Sequence, residues 1–231
     1  MAGGIGSRFW PMSRTAFPKQ FHDILGVGRT LIQQTYDRFL PLCPKENILV
    51  VTNERYKSLV LEQLPDMQPE QVLCEPFMRN TAPCVAYASH HIAAKNPLAR
   101  IVVAPSDHLI LNGPAFVETI QLAFEQAERG NLVTLGIKPT RPDTGYGYIQ
   151  WEEEKQAHHE RVKRVKTFTE KPDLELAKDF LASGDFSWNS GIFIWKVTSI
   201  MDSFEMFLPD MHKAFAEGAE LYGTDKEQAF I

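Results

Sequence analysis

The sequence has few cysteines, no long apolar run and no excess of positive charge. Its three cysteines form no Cys-x-x-Cys pair and no Cys/His cluster at metal-ligand spacing. An odd number of thiols without a pairing pattern is typical of a reducing compartment, and we expect a cytoplasmic location. No stretch approaches the roughly 20 apolar residues of a membrane helix, and the first residues do not resemble a secretory signal. We therefore expect no membrane partner.

The net charge is −5 and the isoelectric point is near 5.8, so the chain lacks the basic surface that favours nucleic-acid binding. A phosphorylated small molecule stays possible, because a few well-placed Lys and Arg side chains suffice to bind it. Hydrophobic residues make up 44% of the 231 residues, which is ample for one sizeable core.

Helical and extended patterns alternate through the first part of the chain. Helices are predicted over 30–40, 54–64, 80–91 and 116–127, and strands over 48–52, 72–75, 101–104 and 132–137. The alternation predicts an α/β fold with a Rossmann-like, mainly parallel mixed sheet flanked by helices. After Pro142 the pattern changes to strands over 146–151, 161–169 and 192–197, with one helix over 173–182. This change of pattern indicates a second half built around mixed strands.

The chain opens with a glycine-rich segment, Gly3-Gly4-Ile5-Gly6-Ser7-Arg8, which is followed by Pro11 and by Pro18-Lys19-Gln20. Glycines let backbone N–H groups approach an anion closely. Arg8 and Lys19 add the full positive charges that a polyphosphate requires. The segment therefore predicts a phosphate-binding loop.

Two well-known nucleotide-binding motifs do not match this segment. Phe9 stands where the dinucleotide fingerprint needs its last glycine, and the Gly-Lys-Ser or Gly-Lys-Thr of a Walker loop is absent. For the glycines alone, a flexible terminus is an equally good interpretation. The spacing of Arg8, Pro11 and Lys19 favours the phosphate loop.

Asp107 follows the predicted strand 101–104 within Pro105-Ser106-Asp107-His108. Ligands of open α/β sheets collect at the carboxyl ends of strands. A carboxylate there can hold Mg²⁺, which needs only one or two protein carboxylates besides phosphates and water. The alternative is an aspartate that only turns the chain or caps a helix.

Together these motifs resemble the signature of sugar-1-phosphate nucleotidyltransferases. Phe17-Pro18-Lys19-Gln20-Phe21 and the segment 75–83 resemble the bacterial mannose-1-phosphate guanylyltransferases in particular, and the likeness extends to about Phe193. The resemblance implies an enzyme that joins GTP to mannose 1-phosphate, with Mg²⁺ as cofactor and a homo-oligomer as a possible state. The preference for guanine and for mannose rests on this resemblance alone.

The resemblance also implies roles for single residues. We expect one nucleotidyltransferase domain over 1–231, with a nucleotide-binding half (1–140) and a sugar-phosphate-binding half (141–231). Arg8, Lys19 and Asp107 would be catalytic, with Asp107 also the metal ligand. The expected nucleotide-binding residues are Gly3, Gly4, Gly6, Ser7, Arg79, Asn80 and Ser106. The expected sugar-phosphate-binding residues are Tyr146, Gly147, Glu170, Lys171 and Asn189.

Without the resemblance, Glu170-Lys171-Pro172 is an ordinary helix entry. His90 and His91 lie in a predicted helix without partners at metal spacing. Met206, Phe207, Met211 and Phe215 are predicted to be core residues.

No strand precedes the glycine-rich loop, and the second metal-binding aspartate that the resemblance implies is not found. The sequence therefore suggests a chain shortened at both ends. A second hypothesis follows, namely a relative that binds nucleotide or a partner subunit without turnover.

Overall fold

A computed structural model describes residues 1–4, 6, 9–77, 80–153 and 159–231. The helices in these ranges are α1 (Leu31–Phe39), α2 (Lys57–Gln63), α3 (Thr81–Lys95), α4 (Gly113–Glu128), α5 (Leu174–Ser183), α6 (Val197–Phe207), α7 (Pro209–Ala216) and α8 (Glu227–Phe230). The strands are β1 (Val50–Asn53), β2 (Val72–Glu75), β3 (Arg100–Val103), β4 (Val133–Ile137), β5 (Tyr148–Glu153), β6 (Lys163–Thr169) and β7 (Phe186–Lys196).

The predicted mixed α/β architecture is confirmed. β1 and β2 form a two-stranded parallel sheet in which Val50 lies opposite Val72. The second sheet has the order β3, β7, β5, β6, with β4 also beside β7, and β5 runs antiparallel to both β6 and β7. Among the described residues, no helix combines the length and apolarity that crossing a bilayer requires.

The chain divides into two compact units, which differ from the halves expected from the sequence. The first unit contains Met1–Val133 and Ile194–Ile231, and the second contains Thr134–Phe193. The last 38 residues, which the sequence assigns to the second half, therefore belong to the first unit.

The early elements form for local reasons that the sequence shows. Helix α1 begins after Thr30, whose backbone N–H donates to Oε1 of Gln33 at 2.9 Å in a capping arrangement. Its buried face comprises Leu31, Ile32, Thr35 and Tyr36, at helical spacing. Strand β2 has the predicted bounds, and every residue of β1 and β2 is buried.

Strand β7 begins six residues earlier than the sequence predicted. Asn189, Ser190 and Gly191 interrupt the β-branched pattern by which strands are recognised, so the periodicity starts only at Ile192. In the structure the pairing of Tyr148 with Trp188 and of Ile149 with Ser187 holds this segment in the sheet. Pairing partners distant in sequence outweigh the local preference.

The prediction that Met206 and Phe207 are core residues is wrong. They are 72% and 73% exposed at the end of α6, a helix that the sequence analysis did not recognise. The buried face of α6 comprises Val197, Ile200 and Phe204. Met206 lies on the opposite side of α6, and Phe207 is the last residue of the helix. Neither side chain is therefore buried with the inner face.

His90 is packed inside the first unit as a neutral aromatic residue. Its ring stacks on Phe215 and Tyr222 with centroid distances of 5.8 and 5.9 Å. Burial, aided by nearby His212, lowers the pKa of His90 to about 4. Burial also lowers the pKa of His91, against the opposing effect of its 2.6 Å contact with Glu227.

These depressed pKa values predict a loss of stability in acid. As the pH falls below about 6.5, the unfolded histidines take up protons before the folded ones, so the free energy of unfolding decreases towards pH 4. His90→Phe keeps the ring and removes the proton site. We expect its free energy of unfolding in urea to decrease less between pH 7.5 and 4.5, by roughly 2 kcal/mol, than that of the parent. Parallel pH curves for the two proteins would contradict this assignment.

Candidate functional site

The first two residues lie between β1 and the segment that follows β3. Ala2 donates its N–H to the carbonyl oxygen of Val51 at 2.8 Å. On the other side, the Met1 amine donates to the carbonyl of Ala104 at 2.9 Å, and the Ser106 N–H donates to the carbonyl of Met1 at 3.0 Å. These contacts deliver the following glycines to the carboxyl ends of two strands, where ligands of α/β sheets bind.

Two buried polar side chains hold this entry to the loop. The Ala2 carbonyl accepts hydrogen bonds from Gln20 Nε2 at 2.9 Å and from Thr52 Oγ1 at 3.0 Å. The sequence analysis assigned neither residue a role. The polar Thr52 directly after the apolar run 48–51 was the available signal, because a buried hydroxyl requires a partner.

The glycine-rich loop needs a glycine at position 6 for two reasons. Gly6 has a φ of +65°, a conformation that favours glycine. A Cβ there would lie 2.8 Å from Cγ of Lys19 and 2.8 Å from Oγ of Ser13. Gly3 is half-buried and Gly4 is exposed with open space around its Cα. Ser7 and Arg8 lie outside the described residues, so their roles stay predictions.

Lys19 and Asp107 form an ion pair at the centre of this region. Lys19 begins a short 3-10 helix (Lys19–Phe21) after Pro18. Its Nζ lies 2.6 Å from Oδ2 of Asp107, with side-chain exposures of 22% and 21%, and 5.4 Å from the centroid of the Phe9 ring. Two residues that the sequence analysis named separately are thus in direct contact.

The backbone around Asp107 is anchored by α1. Thr35 Oγ1 donates to the Ser106 carbonyl at 3.3 Å, and Arg38 Nη2 donates to the His108 carbonyl at 3.1 Å. Burial lowers the pKa of His108, with Asp107 acting in the opposite direction, so its imidazole is neutral at pH 7. The backbone on both sides of Asp107 is therefore anchored to α1.

The remaining nucleotide-binding candidates differ in their surroundings. Ser106 is buried. Asn80 is exposed at the N-cap position of α3, with a φ of 72°, and its side chain makes no capping hydrogen bond there. The Asn80 side-chain amide is therefore exposed to solvent. Arg79 lies outside the described residues.

Within the second unit, Gly147 brings two predicted sugar-phosphate residues close to one backbone position. A Cβ at Gly147 would lie 3.0 Å from Oε2 of Glu170 and 3.7 Å from Cβ of Asn189. The Asn189 N–H donates to the Gly147 carbonyl at 2.8 Å. Tyr146 is partly exposed, and its ring centroid lies 5.0 Å from that of Trp188. Four of the predicted residues therefore share one region of this unit.

Glu170 and Lys171 are exposed neighbours whose charges pair at 2.7 Å. Lys171 has a φ of 39°, which is uncommon for a residue with a side chain. Oδ1 of Asn189 accepts hydrogen bonds from the Gly191 N–H at 2.9 Å and from the Thr134 hydroxyl at 3.5 Å, so its amide N–H groups are the ones that can donate to a further hydroxyl.

Comparison with known protein families identifies the family to which the chain belongs. Residues 1–228 match the family described as nucleotidyl transferase. The chain belongs to the nucleotidyl transferase family.

Close relatives of this nucleotidyl transferase are bacterial. It is 40% identical to the mannose-1-phosphate guanylyltransferase of Salmonella montevideo over 230 residues, which cover 97% of this chain and 48% of that protein. It is 39% identical to the xanthan biosynthesis protein XanB of Xanthomonas campestris over 211 residues, which cover 90% of this chain and 44% of that protein. The chain thus spans about half the length of the curated relatives it matches.

A solved structure supports the fold of this family member. The crystal structure of a Thermus thermophilus protein, described as a mannose-1-phosphate geranyltransferase, superposes with a TM-score of 0.86 at 33% identity. The match covers all of this chain and 65% of the other.

Glu75, at the end of β2, is another carboxylate of this nucleotidyl transferase. The sequence analysis assigned it no role of its own. It is buried, and burial raises the pKa of its carboxyl. It lines a cavity of about 430 Å³ whose other walls include Phe77, Tyr87 and Phe215. In the described ranges there is no group of three or more His, Cys, Asp or Glu that could enclose a metal ion.

Replacement of Gly6 tests the packing of the loop against Lys19. Gly26 has nearly the same φ, +67°, but open space around its Cα, which makes Gly26→Ala a matched control. We expect Gly26→Ala to lower the free energy of unfolding in urea by about 1 kcal/mol through backbone strain. Gly6→Ala should lower the free energy of unfolding further, because the added Cβ also displaces the side chains of Lys19 and Ser13. If both variants lowered the free energy of unfolding equally, the packing of Lys19 and Ser13 against Gly6 would contribute nothing to stability.

Proposed function

We propose that this chain transfers GMP from GTP to α-D-mannose 1-phosphate, giving GDP-mannose and pyrophosphate. The observation that carries the proposal is the Lys19–Asp107 pair beside a glycine loop at the carboxyl ends of β1 and β3. The name of the Salmonella montevideo relative supports the choice of guanine and mannose. A cytoplasmic location and a homo-oligomer stay predictions.

The proposed reaction needs no general base. The phosphate of mannose 1-phosphate has a second pKa of about 6, so it is largely ionised at neutral pH and attacks the α-phosphorus itself. The bond to the pyrophosphate group breaks as the new P–O bond forms. The protein therefore contributes through positioning and charge stabilisation.

The first unit would bind the nucleotide. The backbone N–H groups of Gly3, Gly4 and Gly6 and the charges of Arg8 and Lys19 suit the triphosphate, while Asn80 supplies an exposed amide. Asp107 fits a role as ligand of Mg²⁺, because it is a partly exposed carboxylate and this ion needs few protein ligands when phosphates and water complete its shell. When bound, Mg²⁺ supplies positive charge that offsets the charge of the phosphates.

The second unit would bind the sugar phosphate. Glu170 can accept two or more hydrogen bonds from sugar hydroxyls, and the Asn189 amide can donate to another. Lys171 supplies a positive charge for the phosphate, while Gly147 permits close approach beside Tyr146. The proposal thus assigns one substrate to each unit.

Pyrophosphate release tests the function directly. With Mg²⁺ and mannose 1-phosphate, we expect release with GTP and little with ATP, UTP or dTTP. The absence of pyrophosphate release with all four nucleotides would favour a protein that binds nucleotide or a partner without turnover.

Lys19→Ala should lower kcat/KM by about 100-fold or more, because a charge aimed at the phosphates is lost. Lys178→Ala removes another lysine from an exposed ion pair, with Glu175, and should leave kcat/KM unchanged. Near-parental activity in Lys19→Ala would refute its assignment.

A glutamine at position 170 tests the sugar site. Glu170→Gln should raise KM for mannose 1-phosphate about tenfold, since it weakens charge-assisted hydrogen bonds, and leave KM for GTP unchanged. Glu175→Gln, an exposed change in the same unit, serves as the control. An equal effect on both KM values would contradict the division of substrates between the units.

A further inference from the structure

Lys19 and Asp107 neutralise each other, although each is assigned to a ligand of opposite charge. Nζ of Lys19 lies 2.6 Å from Oδ2 of Asp107. While this pair is closed, the charge that Lys19 offers to a triphosphate and the charge that Asp107 offers to a divalent cation are each largely offset by the partner. Neither ligand can use its residue fully unless the pair opens.

The two partners of the pair differ in how firmly they are held. The backbone on both sides of Asp107 is anchored, by Thr35 at Ser106 and by Arg38 at His108. The Lys19 ammonium ends a flexible four-carbon stem that passes over Gly6, where the missing Cβ leaves it room. Lys19 is therefore the partner that can move away while the carboxylate stays in place.

We propose that this ion pair is exchanged when the metal–nucleotide complex binds. The Asp107 carboxylate passes from the ammonium to the divalent cation, and the Lys19 ammonium passes to the triphosphate. In the free protein, Lys19 acts as an internal substitute for the cation. The proposal deepens the function proposed above and rests on it for the identity of the nucleotide.

This exchange makes the two ligands cooperative. A divalent cation alone must displace Lys19 and leave the ammonium without a partner, and a metal-free nucleotide alone must leave the Asp107 carboxylate unpaired. When both bind together, each released charge finds a new partner. Linkage then requires that each ligand raises the affinity for the other by the same factor.

The decisive measurement is Mn²⁺ binding without nucleotide, followed by electron paramagnetic resonance. Lys19→Met removes the competitor, so we expect it to bind Mn²⁺ about fivefold more tightly than the parent, the factor that suits a partly exposed ion pair. Lys19→Arg, which keeps the charge, should match the parent, and so should the control Lys178→Met. Loss of a merely structural lysine would loosen the site, so unchanged or weaker Mn²⁺ binding in Lys19→Met would overturn the proposal.

A reciprocal measurement covers the case in which Lys19→Met does not fold. In EDTA, Asp107→Asn frees Lys19 and should bind GTP about fivefold more tightly than the parent. Asp37→Asn removes the same charge from the exposed Arg29–Asp37 pair and should bind as the parent does. Weaker GTP binding by Asp107→Asn than by the parent would overturn the exchange. If no variant binds GTP, the proposed function fails, while the Mn²⁺ measurement still decides the exchange.

Discussion

The candidate site of the first unit depends on the backbone hydrogen bonds of Met1 and Ala2. These residues bond to β1 of one sheet and to the segment after β3 of the other, so the glycine loop begins beside the carboxyl ends of these two strands. Gln20 and Thr52 donate to the Ala2 carbonyl, which burial would otherwise leave unpaired. Because Gln20 follows Lys19 directly, the same contact that holds the loop also positions the lysine.

Charge balance is the second constraint on this site. A carboxylate and an ammonium, each partly shielded from water, stabilise one another at the point where a polyphosphate and a cation would bind. One partner is anchored through the backbone by α1, and the other lies at the end of a flexible chain. The two charges offset each other in the closed pair, and the exchange proposed above would make both of them available to ligands.

In the second unit, backbone hydrogen bonds and a close glycine contact position the predicted sugar-phosphate residues. The Asn189 backbone N–H donates to the Gly147 carbonyl just before β5, and its side-chain Oδ1 accepts the Gly191 N–H within β7, so both segments orient this residue. Gly147 lies close to Glu170 because it has no side chain. Under the proposed function, the groups that this unit would offer to the sugar phosphate are the Glu170 carboxylate, the Lys171 ammonium and the Asn189 amide N–H.

The sequence by itself determined the elements of the first part of the chain and identified the residues of the candidate site. Helix α1, strand β2 and the alternation through β4 follow from periodicity and capping, and Lys19, Asp107 and the glycine loop follow from motifs. Tertiary structure decided the start of β7, the exposure of Met206 and Phe207, and the contact between Lys19 and Asp107. Each of these features depends on a residue distant in the chain, through strand pairing, helix packing or an ion pair. Local sequence patterns do not specify such long-range partners.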